Sequence, residues 1–123
     1  MRNNIEHVYP LIEFRRDRAA VQRTIQAYGH EVPMPSNCRF CPFQNGPELV
    51  YLERFHPEDW QEWVRLEAAK LERSRDSPRN LGVRGAKPLP VVLEEEKRKY
   101  GHWSDEQLID YKMSHGHCVK SKF

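Results

Sequence analysis

The sequence predicts a small, mainly α domain organised around a metal-bearing cysteine knuckle, with about five short helices and at most a minor strand element. Three observations predict it. Apolar residues recur at helical spacing in stretches bounded by proline and glycine. Cys38 and Cys41 stand two residues apart in a proline-broken segment. Hydrophobic residues make up 38% of the chain and charged residues 31%, which leaves a modest core. For such a core a bound metal is a useful staple, because site binding energy becomes folding energy.

The 123 residues suit a single domain spanning 1–123. Residues Ile5 to Phe14 read as an extended opening segment, a short edge strand around Pro10. Asp17 is placed to N-cap a first helix carrying Ala20, Val21, Ile25 and Tyr28, and Gly29 is placed to stop it. Pro33, Pro35 and Pro42 exclude regular structure over His30–Asn45, so both cysteines are expected on a loop. Pro47 suits the first turn of a helix through Leu49, Val50 and Leu52 to Phe55.

From Glu58 to Arg75, Trp60, Trp63, Val64, Ala68 and Leu71 share one helical face, with acids at the start and bases at the end to complement the dipole. Asp76–Pro90 reads as a polar connector. Val91–Tyr100 is expected to be helical, its Glu94–Glu96 and Lys97–Lys99 runs giving acid-to-base pairs on a solvated face. Ser104 and Gln107 form a capping-box pattern that starts a last helix from Asp105 to Ser114, ended by Gly116.

Composition bounds the function without implying nucleic-acid binding. Twenty basic and 18 acidic residues give a net charge of +2, too little for a global field that gathers DNA or anionic lipid. No stretch approaches the roughly 20 apolar residues of a membrane span, and the N-terminus lacks a signal-peptide layout. A cytoplasmic location is the expectation, with no membrane partner. Three cysteines, two of them as Cys-x-x-Cys, favour metal or redox chemistry over a disulfide framework.

A two-residue spacer lets the sulfurs of Cys38 and Cys41 face one ion while the backbone turns around it. His115, His117 and Cys118 follow the last helix. Joined to the knuckle, Cys118 and one of the two histidines would complete a closed zinc site, with His115 preferred for its two-residue spacing to Cys118. The bland alternative is a tail with no ligand role. Three thiolates could instead hold a [4Fe-4S] cluster, and His30 is an outside ligand. A redox dithiol would be expected at a helix N-terminus beside a βαβ unit, which the prolines do not suit. Arg15, Arg16 and Arg18, with Trp60 and Trp63, are candidate partner-binding residues, although tryptophans at this spacing are more often core.

Tyr9-Pro10-Leu11-Ile12-Glu13, a helix, Pro35-Ser36-Asn37-Cys38-Arg39-Phe40-Cys41-Pro42-Phe43 and an acidic tryptophan helix follow one another. This order resembles the C-terminal part of phage and bacterial phosphoadenosine-phosphosulfate-reductase-like proteins of the adenine nucleotide alpha hydrolase superfamily, over residues 8–75. The resemblance implies a preceding nucleotide-binding half with a Ser-Gly-Gly-x-Asp-Ser phosphate loop. This chain contains no Gly-Gly pair, so it offers no backbone cradle for ATP or a sulfonucleotide. Related sulfur-transfer enzymes carry a similar Cys-x-x-Cys in an iron–sulfur region. The reductases' nucleophilic cysteine stands in a Glu-Cys-Gly-Leu-His context, unlike His117-Cys118-Val119.

The leading expectation is a non-catalytic, metal-stabilised module that binds a protein partner, such as a phage-encoded inhibitor or accessory protein. The alternatives are a subunit of a split sulfonucleotide reductase or sulfur-transfer enzyme with a [4Fe-4S] cluster, and a zinc-bearing nucleic-acid binder whose affinity falls steeply with salt.

Overall fold

In the computed structural model, which describes residues 5–35 and 38–115, the chain is mainly helical. It divides into two compact units, one through Pro33 and one from Met34. Among the described residues the only bridge pairs Gly82 with Gly85, and no strand forms. No described helix is long and apolar enough to cross a membrane.

The first unit holds α1 (Pro10–Glu13) and α2 (Arg18–Ala27). The expected edge strand is therefore replaced by a helical turn, making six helices among the described residues where about five are expected. Pro10 occupies the first helical position, where its missing N–H costs nothing and its fixed φ favours the turn. The turn closes at Phe14, whose N–H reaches Pro10 O at 2.9 Å, and Arg15 follows with a left-handed φ of 51°. Asp17 caps α2 as expected, its Oδ1 accepting from Ala20 N at 2.7 Å. Gly29, at φ 77°, ends it.

The second unit holds α3 (Gly46–Phe55), α4 (Pro57–Arg73), α5 (Leu89–Tyr100) and α6 (Asp105–His115). The central element is α3, which packs against the other three. Its start is a full capping box, with Asn45 Oδ1 accepting from Glu48 N at 3.3 Å and Glu48 Oε2 from Asn45 N at 2.9 Å. The core is Leu49, Val50, Tyr51 and Leu52 of α3, Trp60 and Trp63 of α4, Leu89, Val92 and Leu93 of α5, and Leu108 of α6. Ser104 and Gln107 make their capping box at 2.9 and 3.2 Å.

The connector between α4 and α5 is tied down. Glu67, only 4% exposed, accepts from Val83 N at 2.9 Å and from Leu89 N at 2.6 Å. That second bond starts α5 two residues before the expected Val91. Asn80 Nδ2 donates to Leu71 O at 2.6 Å, and Lys70 Nζ to Leu81 O at 2.6 Å. On the far side Arg54 of α3 gathers the α5–α6 corner, donating to Trp103 O, Gly101 O and Asp105 at 2.8–3.0 Å.

Candidate metal centre and contact surfaces

Both cysteines of the knuckle are free thiols, Cys38 exposed and Cys41 partly so. Between Cys38 and Gln44 the backbone makes two consecutive turns, Cys41 N donating to Cys38 O at 3.2 Å and Gln44 N to Cys41 O at 3.3 Å. Phe40, between the thiols, stacks on Trp63 with ring centroids 5.9 Å apart. The loop thus has a core anchor at its centre and a thiol on each side.

Gln44 is the floor of this turn. It is 4% exposed, and its Nε2 donates weakly to Cys38 O at 3.4 Å and Arg39 O at 3.5 Å. Its Oε1 is the one buried side-chain polar atom among the described residues with no hydrogen-bond partner. From the α4–α5 connector, Arg84 Nη1 donates to Pro42 O at 3.1 Å and to Gln44 O.

A cleft of about 300 Å³ opens beside Cys38, bounded also by Arg39, Gln44, Tyr51, His56, Asp59 and Lys112. Arg39 pairs with Asp59 at 2.7 Å and lies over the Phe40 ring at 4.9 Å. With Arg39 more than half exposed, that pair adds little stability. Lys112 Nζ sits 5.1 Å from the Tyr51 ring centre. Burial pushes the Tyr51 hydroxyl above its usual range. Tyr111 is raised for the same reason, then by Glu48, against the Asn45 amide that donates to its oxygen at 2.7 Å.

Sequence spacing does not single out His56, Asp59 and Lys112, because Lys112 comes to this cleft from a helix far along the chain. The cleft places the last turns of α6, through Lys112, beside Cys38. His115 ends α6, exposed, its ring stacked on Tyr111 at 4.3 Å. Among the described residues no three His, Cys, Asp or Glu side chains converge on one point. His117 and Cys118 lie outside the described residues. His30, the outside ligand candidate, is exposed in the first unit.

The donor chemistry fits half of a zinc or iron–sulfur site: two free, accessible thiols on a turn of the right spacing, with a third and fourth ligand to be supplied. Protein purified without oxygen is expected to carry stoichiometric zinc and no broad visible absorbance, and Cys41→Ser to lose the metal. Iron with sulfide in elemental analysis would replace zinc by the cluster. Protein free of both would remove the metal.

The proposed contact residues separate. Trp60 and Trp63 are 7% and 4% exposed, so they are core and not a surface for a partner. Their spacing with Glu67 turns that face of α4 toward α3 and α5. Arg15, Arg16 and Arg18 are exposed. Beside them lies a feature that apolar spacing did not flag: Ile5, Val8, Tyr9, Leu11, Ile12, Phe14 and Tyr28 are 56–79% exposed, and no described residue through Pro33 is buried.

These elements define a small helical protein with an accessible thiol turn. No protein-family model, curated protein or solved structure matches the chain.

Proposed function

We propose that this chain is a non-catalytic, metal-stabilised module that binds a protein partner. The second unit is a helical body whose thiol turn holds the metal, and the first unit supplies the contact. The observation that carries this reading is the exposed apolar run of the first unit, seven large side chains with no buried counterpart. Contiguous exposed apolar area is costly in water and marks interaction surfaces. Arg15, Arg16 and Arg18, against Asp17, border it, so the partner surface that fits is apolar with an acidic rim.

The test pairs Ile12→Asp with Phe14→Asp, at positions 74% and 73% exposed, where the fold should tolerate charge. Tagged parent and double variant are used side by side for capture from the encoding organism. The parent is expected to retain a partner in stoichiometric amount, and the variant to lose about tenfold or more, as for hot-spot side chains. Equal recovery by both, or no stoichiometric partner for either, overturns the reading.

A further inference from the structure

We infer that Arg84 is a positioning residue for the metal at Cys38 and Cys41, an inference that rests on the metal-bearing reading above. The turn that carries the thiols belongs to no helix or sheet, and its own two backbone bonds are long, at 3.2 and 3.3 Å. Its shape therefore depends on what braces it from outside. Phe40 on Trp63 fixes the middle. The stretch after Cys41 is tied to the α4–α5 connector by the Arg84 guanidinium, through Pro42 O and Gln44 O.

Arg84 is itself held. It stands between Gly82 and Gly85, whose backbones pair at 2.8 and 3.2 Å, with Gly85 at φ 94°. Glu67 grips the next amide, Val83 N, from α4. A Cβ on Gly82 would run into the Glu67 carboxylate, so the close approach requires glycine there. The brace thus runs from buried Glu67, through a two-glycine turn, to the carbonyls next to the knuckle. On the other side of those carbonyls Gln44 donates back to Cys38 O and Arg39 O.

Two thiolates sharing a tetrahedral ion with bonds near 2.3 Å must hold their sulfurs about 3.8 Å apart. Both are anions at that separation, so the turn must resist opening. A fixed guanidinium resists that opening by holding the carbonyls of Pro42 and Gln44, just after Cys41. Outer groups that orient ligands in this way change metal affinity about 10–100-fold when removed.

The experiment is a competitive titration of the full chain with zinc and with cobalt(II), for the parent, Arg84→Met and Arg84→Lys. Helix content of each metal-free protein is followed by circular dichroism. Arg84→Met is expected to bind at least about tenfold more weakly, with altered cobalt–thiolate absorption, at parent-like metal-free helix content. Arg84→Lys, which keeps the charge and its donors on a flexible stem without the rigid planar guanidinium, should fall between. Parent-like affinity and spectrum in Arg84→Met overturn the inference and leave the metal reading standing. If Arg84→Met is unfolded without metal, Arg84→Lys decides: weaker binding supports the inference and parent-like binding overturns it. A parent that binds neither metal overturns the reading and the inference together.

Discussion

Replacing Trp63 by alanine is expected to cost about 3–5 kcal/mol of folding stability in chemical denaturation, the range for deleting a buried aromatic side chain. The indole is 4% exposed and meets Trp60 edge-on at 6.2 Å and Phe40 face-on at 5.9 Å. Truncation removes its transfer energy and leaves a hole that α3 and α5 can only partly fill. Domains of this size hold about 5–15 kcal/mol in total, so the variant should be marginal at 37 °C. The effect reaches the thiol turn, because Phe40 loses its platform. Trp63→Phe keeps an aromatic surface for Phe40 and should recover more than half of the loss. A loss below about 1 kcal/mol for Trp63→Ala would mean that this side chain is not part of the core.

Most of the helical frame was legible because its signals are local. Asp17, Gly29, Ser104 with Gln107, and Pro47 act within a few residues of where they stand, and each marks the boundary that spacing assigns it. The turn at Pro10–Glu13 was not legible, since four residues contain no helical period and apolar neighbours on every side of Pro10 imitate an extended strand. Asn45 and Glu48 carry a capping-box pattern that could have been read. A buried glutamate satisfied by a backbone amide, however, looks in sequence like any solvated acid.

The candidate site divides along the same line. Cys38 and Cys41 announce themselves by spacing, and the helical spacing of Trp60 and Trp63 fixes that they share a face. It does not fix what that face meets, because a stripe of aromatics looks alike whether it covers a core or a partner. Burial settled it in favour of the core. Arg84 could not be connected with the thiols at all, being 42 residues from Pro42 along the chain. Lys112, beside Cys38 at the cleft, is further still. Long-range polar contacts leave no periodic trace, and here they make the site.

Glu67→Ala is expected to destabilise the fold by about 3 kcal/mol, although it removes a charged residue from an otherwise apolar helix face. The carboxylate accepts from Val83 N and Leu89 N, at 2.9 and 2.6 Å. Alanine would leave two backbone N–H groups without partners, one at the start of α5 beside fully buried Leu89, and each unpaired group costs about 1–3 kcal/mol. Glu67→Gln retains one acceptor and should lose about half as much. Measured by urea denaturation with amide exchange, Glu67→Ala should strip protection from Val83 and Leu89 first. Exchange at Cys41 and Gln44 should rise as well, because Arg84 hangs on the turn that Glu67 holds. Unchanged exchange at Val83 and Leu89 would show that the connector is held by its own backbone pairing and by Asn80, and that the brace to the thiols begins later than α4.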